Sequence, residues 1–314
     1  MNNPLISFDE AKQLLECDRS NTQLIGVVSD FFNDEVLQQY AHVKPSPSFA
    51  ILKTEHLEID QVWKLKPDHD LQAVLTSAGL TPGTKKHILL FDDIQFSCGE
   101  NTTRFDASAR LFAVLRYFGF SEISIILDAE VSASFTDLVA SQKNDATDIR
   151  RPISHTSWLP KHKNTFVKYD ELRQVLSGVL GPYRLLDARS AEEFAGVATG
   201  YDYVRLAGNI PTAENIINGD YQTSRNESIE PILARLQSTL TEKNINKDDR
   251  IIWYCGTAWR ASRMFALTLA LGYSNVSIYD GGWNEWQGLH PEDATPRAEY
   301  LTHRDPASVY INRA

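Results

Sequence analysis

The sequence has few of the residues on which disulfide frameworks and metal sites are built. It contains three cysteines in 314 residues, Cys17, Cys98 and Cys255, and no two of them have Cys-x-x-Cys spacing. Its eight histidines show no spacing typical of metal ligands either. We therefore expect free thiols in a reducing compartment, with no disulfide framework, no metal and no organic cofactor.

An excess of basic residues and long apolar runs are also missing. The chain has 31 lysines and arginines against 41 acidic residues, a net charge of −10. This balance argues against binding to nucleic acid or to an anionic membrane, but it allows a local cationic pocket for a small anion. No segment approaches the roughly 20 apolar residues of a membrane helix, and the N-terminus lacks the pattern of a signal peptide. We expect a cytoplasmic protein.

The two halves of the chain resemble each other. Residues 110–125 and 263–278 align without a gap, with seven of sixteen positions identical, and each predicts an amphipathic helix, a terminating glycine and a short strand. The stretches 87–93 and 250–256 before them both have strand character. We infer a duplicated α/β domain in which each copy is a mainly parallel sheet flanked by helices. A single large α/β domain with a coincidental internal match is the alternative.

A polar segment separates the two copies. Residues 146–165 contain two prolines and no sustained periodicity, which is typical of a linker. We therefore predict one domain over 1–145 and a second over 166–314. In folds of this class ligands bind beyond the C-terminal ends of the strands. Cys255 follows directly after such a strand.

The surroundings of Cys255 favour a reactive thiolate. Backbone N–H groups between the strand and a helix that should start near Ala261 have no ladder partners, and together with the helix N-terminus they favour an anion. Gly256 permits a tight curl, while Arg260 and Arg263 add positive charge nearby. The alternative for Arg263 is a surface pairing residue on the helix. The alternative for Cys255 is a buried structural cysteine.

Four segments of the second half resemble the rhodanese family of sulfurtransferases. They are WYCGTAWRAS at 253–262, YDGGWNEW at 279–286, LLDARSAEEFAG at 185–196 and AGNIPTAENI at 207–216, and they occur in the family's order. The first half matches only weakly, through its strand and helix pattern and the duplication.

The resemblance implies two rhodanese-like domains, the first inactive and the second catalytic. In this family the cysteine accepts a sulfane sulfur, becomes a persulfide and passes the sulfur to a nucleophilic acceptor. The resemblance makes Cys255 the nucleophile. The loop that holds the persulfide is then Gly256, Thr257, Ala258, Trp259 and Arg260, with Asp187, Arg189 and Arg263 in supporting positions. Trp259 is expected to wall the pocket or to pack against the other domain, and Asp187 to support the loop or to cap a turn.

The first domain lacks the nucleophile. Asp92 aligns with Cys255, and an aspartate cannot form a persulfide. About ten extra residues follow it, and Cys98 within them is interpreted as incidental. We expect this domain to be a structural partner that closes one side of the active-site cleft.

The donor and the reaction class are less sharply defined. Relatives that use thiosulfate or 3-mercaptopyruvate carry an arginine where this chain has Glu193, so Arg260 is the candidate for the missing anion contact, and Arg189 and Arg205 are weaker ones. Polysulfide and a protein persulfide also remain possible donors, and the acceptor is expected to be a thiol or a cyanide-like nucleophile.

A phosphatase of the same fold would need a loop one residue longer. A persulfide carrier loaded by a partner protein and a purely regulatory module both stay open.

Overall fold

A computed structural model describes residues 4–28, 49–59, 63–81, 83–92, 102–103, 105–127, 158–221, 223–224 and 228–294 of the chain. The chain divides into two compact units. Unit 1 comprises residues up to 163 together with 223–230, and unit 2 comprises 164–222 together with the residues from 231 onward. Across the described ranges, no helix combines the length and the apolar character that crossing a bilayer requires.

Unit 1 is built on a parallel sheet. The described elements up to residue 163 are, in chain order, β1 Leu5–Ile6, α1 Phe8–Cys17, β2 Thr22–Val28, β3 Phe49–Lys53, α2 Asp68–Ser77, β4 His87–Asp92, β5 Thr102–Thr103, α3 Asp106–Tyr117 and β6 Ile123–Ile126. Five of these strands form one sheet in the order β1-β6-β4-β2-β3, with every neighbouring pair parallel.

Unit 2 repeats this architecture. The elements after residue 163 are β7 Phe166–Val167, α4 Tyr169–Leu176, β8 Arg184–Asp187, α5 Ala191–Phe194, β9 Glu214–Asn215, β10 Thr223–Ser224, α6 Glu230–Glu242, β11 Ile251–Tyr254, α7 Trp259–Ala270, β12 Val276–Tyr279 and α8 Gly282–Leu289. The sheet order is β7-β12-β11-β8-β9, again parallel throughout. Strand β10 lies in unit 1, where it pairs antiparallel with β5.

The two sheets correspond strand by strand. Ile88 of β4 lies opposite Ile123 of β6, and Ile251 of β11 lies opposite Val276 of β12, so the register agrees as well as the order. The prediction of an α/β chain with two mainly parallel sheets flanked by helices is therefore confirmed.

Amphipathic helices cover the sheets for the reason that the sequence pattern suggests. Helix α1 buries Phe8, Ala11 and Leu15 against the sheet of unit 1. Its first turn is closed by a capping box, in which Ser7 and Glu10 bond each other's backbone N–H groups. Such a cap stabilises a helix by about 1 kcal/mol. Local sequence and tertiary burial thus select the same helix.

The segment before unit 2 packs on unit 1. Residues 146–157 of the predicted linker lie outside the described residues. Trp158 exchanges two hydrogen bonds with the side chain of Gln72, at 2.9 and 3.0 Å, and its ring meets Phe118 edge to face at 5.7 Å between centroids. The last residues of the connecting segment are therefore fixed to the first unit.

Asp92 ends β4 at the position that corresponds to Cys255. Its carboxylate accepts hydrogen bonds from the backbone N–H groups of Ala107 (3.1 Å) and Ser108 (2.6 Å), in the first turn of α3. The carboxyl group of Asp92 thus lies between a strand end and a helix N-terminus, as Cys255 does in unit 2. Cys98 and most of the inserted loop lie outside the described residues.

Asp92 should give unit 1 a measurable pH dependence. Burial raises the pKa of Asp92 to about 7, although the hydrogen bonds from Ser108 and Ala107 oppose the rise. The unfolded chain loses this proton near a pKa of about 3.9. Between these two pKa values Asp92 is protonated in the folded state and ionised in the unfolded state. The free energy of unfolding therefore falls as the pH rises from about 3.9 to about 7. Asp92→Asn does not titrate and should lose this part of the pH dependence.

Melting temperatures measured from about pH 5 to about pH 8 check this expectation. Relative to Asp92→Asn, the wild-type chain should lose stability steadily as the pH rises. Asp9→Asn, which alters an exposed carboxylate at the start of α1, is the matched control and should follow the wild-type curve. Parallel curves for the wild-type chain and Asp92→Asn would contradict the assignment.

Candidate active site around Cys255

Cys255 lies at the C-terminal end of a central strand. Strand β11 pairs with β8 in parallel, with Tyr254 opposite Asp187, and the backbone N–H of Ala188 donates to the Tyr254 carbonyl at 2.8 Å. The chain then leaves the sheet and enters α7 at Trp259. Cys255 is fully buried, at the edge of the sheet where ligands bind in open α/β folds.

The loop after Cys255 is fixed by α8. The N–H groups of Trp283 and Asn284 donate to the carbonyls of Cys255 (2.7 Å) and Gly256 (3.0 Å). Because a trans peptide places its N–H opposite its C=O, the N–H groups of Gly256 and Thr257 point away from α8. Two aligned donors therefore precede the N-terminus of α7, an arrangement that stabilises negative charge.

The approach of α8 to the loop requires glycine. Gly282 has φ +56, and a Cβ there would collide with the carbonyl oxygens of Gly256 and Cys255. A side chain on Gly256 would in turn collide with the ring of Tyr201. Gly282 thus lets the backbone of α8 approach the loop, and Gly256 leaves room for the Tyr201 ring.

Helix α7 starts two residues earlier than we expected. The sequence suggested a start near Ala261, whereas the helix begins at Trp259. Ala258 turns the chain with φ +70, in the left-handed region where a residue with a Cβ is strained. Its carbonyl accepts bonds from the backbone N–H (2.9 Å) and the hydroxyl (2.8 Å) of Ser262. This sharp turn brings the helix N-terminus closer to Cys255.

A buried ion pair supports the loop from the neighbouring strand. The Arg189 guanidinium binds the Asp187 carboxylate with its Nη2 at 2.6 Å and its Nε at 3.0 Å, and it also donates to the Gly208 carbonyl at 2.7 Å. Both charged side chains are fully buried. Burial lowers the pKa of Arg189, but the Asp187 charge outweighs it and raises that pKa above its usual value. The geometry gives both residues a structural task.

Arg260 is bound to Glu193. Its Nη1 and Nη2 donate to the two carboxylate oxygens of Glu193 at 2.7 and 2.8 Å, and both side chains are largely buried. Burial raises the pKa of Glu193, yet the charge of Arg260 outweighs it and holds that pKa below its usual range. We expected Arg260 to offer its guanidinium to an anionic donor. In the structure both terminal nitrogens are already engaged by Glu193.

Two tyrosines complete the surroundings, and sequence reasoning missed them. Tyr201 stacks on Tyr203 at 5.0 Å between centroids, and the Arg260 guanidinium carbon lies 5.1 Å from the Tyr201 ring centre. The Tyr203 hydroxyl lies 3.4 Å from the Thr257 hydroxyl. Burial raises the pKa of Tyr201 well above its usual value, and the Cys255 charge adds to the rise while Arg260 opposes it. The Tyr-x-Tyr pattern was the available signal; in the structure residues 201–203 form a turn, in which the Val204 N–H donates to the Tyr201 carbonyl at 3.3 Å.

The remaining sequence candidates are placed differently. Arg263 is fully buried within unit 2, so the interpretation as a surface pairing residue is wrong; the whole face of α7 around it packs inside the unit. Trp259 is half-buried and Arg205 is exposed. Cys17 is an exposed free thiol on unit 1.

One group of possible metal ligands also lies near the end of α8. His290, Glu292 and Asp293 bring their ligand atoms within 4.8 Å of one another. However, both ring nitrogens of His290 are used, at 2.7 Å from the Tyr169 hydroxyl and 2.8 Å from Glu292, and Asp293 accepts from the Trp286 indole at 2.9 Å. These bonds tie the end of α8 to α4, and a metal would have to displace them.

The second half of the chain matches a known family. Residues 169–289, from the start of α4 to the end of α8, match the model of the rhodanese-like domain. These residues form a rhodanese-like domain. This rhodanese-like domain includes the Cys255 loop and each side chain described around it.

Relatives and solved structures extend the comparison. Thiosulfate sulfurtransferase YnjE of Escherichia coli is 26% identical over 245 residues, which are 76% of this chain and 53% of that protein. Sulfur carrier protein TtuD of Thermus thermophilus is 34% identical over 131 residues, 38% of this chain and 44% of that protein. The anaerobic ergothioneine biosynthesis enzyme of Chlorobium limicola, solved with trimethyl histidine, has a TM-score of 0.69 and 22% identity, covering 93% of this chain and 69% of that one.

The comparisons differ in how much of each protein they cover and in sequence identity. The chain spans about half the length of the curated relatives that it matches. The similarity to the Chlorobium limicola enzyme, at 22% identity, shows a shared fold.

Gly282→Ala should disrupt the loop of the rhodanese-like domain. The new Cβ meets two backbone carbonyls that cannot rotate away, and alanine is strained at φ +56, so we expect a loss of at least about 2 kcal/mol in the free energy of unfolding. Gly288→Ala in the same helix is the control. A Cβ there has no atom within 4 Å, and stability should stay equal or rise by up to about 1 kcal/mol. Urea titration measures both, and equal stability of the two variants would refute the account of α8.

Proposed function

We propose that this chain is a sulfurtransferase that carries a sulfane sulfur on Cys255 as a persulfide. The observation that supports it most is the placement of a buried cysteine between β11 and the N-terminus of α7. The loop carbonyls there bond to α8, while the N–H groups of Gly256 and Thr257 point the other way. This environment favours a thiolate and, after sulfur transfer, a persulfide anion, because aligned N–H donors stabilise negative charge.

The reaction has two half-steps. In the first, the Cys255 thiolate attacks the outer sulfur of the donor; a new S–S bond forms to Sγ, the donor's own bond to that sulfur breaks, and the leaving group takes the electron pair. In the second, a nucleophilic acceptor attacks the outer sulfur, and the Cys255 thiolate leaves with its electron pair. No net oxidant or reductant is consumed. Burial of Cys255 keeps water away from the persulfide.

The geometry of the loop supports sulfur transfer over phosphoryl chemistry. Cys255 through Arg260 are six residues, one fewer than the loop of the phosphatases that share this fold. The guanidinium of Arg260 also lies against Glu193, where it would not be free to bind a tetrahedral oxyanion. In unit 1, Asp92 occupies the equivalent strand end, which supports an inactive first domain with catalysis assigned to the second.

The donor class and the location come from the sequence and the relatives. Thiosulfate, 3-mercaptopyruvate and polysulfide are the candidate donors, and a thiol or a cyanide-like nucleophile is the candidate acceptor. YnjE is named a thiosulfate sulfurtransferase, which supports sulfur transfer in general. A cytoplasmic location is part of the same proposal.

A persulfide carrier loaded by a partner protein is the second candidate. It is favoured by the match to TtuD, a protein named as a sulfur carrier, and by the complete burial of Cys255. Both functions use the same persulfide. They differ in turnover, because a carrier would be loaded once by its partner and would not cycle with small donors.

Intact mass measured after incubation with each donor tests the proposal. Protein treated with thiosulfate, 3-mercaptopyruvate or polysulfide should gain the mass of one sulfur atom from at least one of them. A variant with Cys17→Ser and Cys98→Ser should gain it equally, and Cys255→Ser should not, because the proposal assigns the persulfide to Cys255. Failure of every small donor on folded, reduced protein would rule out the small-molecule enzyme and leave the carrier to be tested with a protein persulfide.

A further inference from the structure

The buried pair between Glu193 and Arg260 narrows the choice of donor. We propose that Glu193 is a specificity-determining residue, which prevents the use of thiosulfate and commits the site to persulfide sulfur of the class R–S–SH. This inference rests on the proposed sulfur transfer at Cys255, and it assigns to Glu193 a task that the general chemistry of the loop does not require.

The first argument is the occupancy of the guanidinium. A thiosulfate donor carries two negative charges, and its sulfonate end is best held by two parallel N–H donors of an arginine. Arg260 follows Cys255 by five residues in the same loop, but its Nη1 and Nη2 both donate to Glu193 at 2.7 and 2.8 Å. An oxyanion would have to displace a carboxylate that is already desolvated and paired.

The second argument is that the local sequence holds Glu193 in place. Its carboxylate also accepts the Ser190 N–H at 3.0 Å, while its own N–H donates to the Ser190 hydroxyl at 3.2 Å, which closes a capping box on α5. Gly200 has φ +79, and any Cβ there would collide with the Glu193 carboxylate. The capping box with Ser190 thus holds both the backbone and the carboxylate of Glu193, and Gly200 leaves the space that this carboxylate fills.

The third argument is charge balance. Arg260 is neutralised by Glu193, and Arg189 by Asp187. The described ion pairs next to the loop therefore add no net positive charge. A buried dianion needs compensating positive charge, which neither of these two pairs supplies, whereas transfer from a persulfide requires stabilisation of a single negative charge.

One N–H of Arg260 is not used by the pair with Glu193. Its Nε is buried and has no hydrogen-bond partner among the described residues. A single N–H matches one acceptor atom, such as the sulfur of a persulfide, and does not offer the two-point contact that a sulfonate uses.

The transfer balances without any further reactant. The Cys255 thiolate attacks the outer sulfur of R–S–SH, an S–S bond to Sγ forms, and the original S–S bond breaks to release R–S⁻ with the electron pair. The charge is one negative before and after the step. With thiosulfate the same step must release sulfite, which leaves with two negative charges next to the Glu193 carboxylate.

Glu193→Gln tests the proposal without changing the size of the side chain. Glutamine occupies the same volume and can close the same capping box, but it removes the charge that holds Arg260. We expect kcat/KM for thiosulfate to rise at least about tenfold, mainly through a lower KM, because a charge-assisted contact is regained. The rate with glutathione persulfide should change by less than about threefold on the same scale. Glu192→Gln, at the exposed neighbouring position, should alter neither.

A second variant keeps the test decisive. Glu193→Gln combined with Arg260→Gln should lose the gain with thiosulfate, since the freed guanidinium is absent. The proposal is overturned if wild-type protein uses thiosulfate as well as it uses glutathione persulfide. It is also overturned if Glu193→Gln leaves kcat/KM for thiosulfate unchanged while persulfide turnover is retained.

A parallel experiment with persulfidated albumin distinguishes a protein donor of the class R–S–SH from a small-molecule donor of that class. Failure of every donor to load Cys255 would instead refute the proposed function itself.

Discussion

Two backbone hydrogen bonds from α8 organise the site around Cys255. They draw the carbonyls of Cys255 and Gly256 toward Trp283 and Asn284, and planarity of the peptides then turns the following N–H groups to the opposite side. The close approach depends on Gly282, where a Cβ would collide with the loop. The position of the cysteine, the direction of its N–H groups and the start of α7 all follow from that contact.

Each of two arginines near Cys255 is neutralised by a buried carboxylate. Arg189 and Arg260 lie beside the loop, and each is paired with a buried carboxylate, Asp187 and Glu193 respectively. Breaking either pair would leave an uncompensated buried charge, which is far more costly than losing an exposed ion pair. The pairs therefore stabilise the loop, and neither pair adds net positive charge beside Cys255.

Much of this organisation could be predicted from the sequence. The internal alignment of 110–125 with 263–278 indicated the duplicated sheet because helix periodicity and terminating glycines are local signals. The strand before Cys255 indicated the site for the same reason. The partner of Arg260 could not be predicted: Glu193 lies 67 positions away, and only the fold brings them together. The left-handed turn at Ala258 was missed because alanine is an unusual residue for it.

The central claim is that Cys255 transfers sulfur and does not merely hold it. A single-turnover measurement tests this most directly: the chain with Cys17→Ser and Cys98→Ser is loaded, freed of donor and mixed with cyanide. The account predicts that one thiocyanate forms per protein while Cys255 returns to its unmodified mass. A persulfide that persists on Cys255 in the presence of the acceptor, or thiocyanate that forms equally from Cys255→Ser, would contradict it.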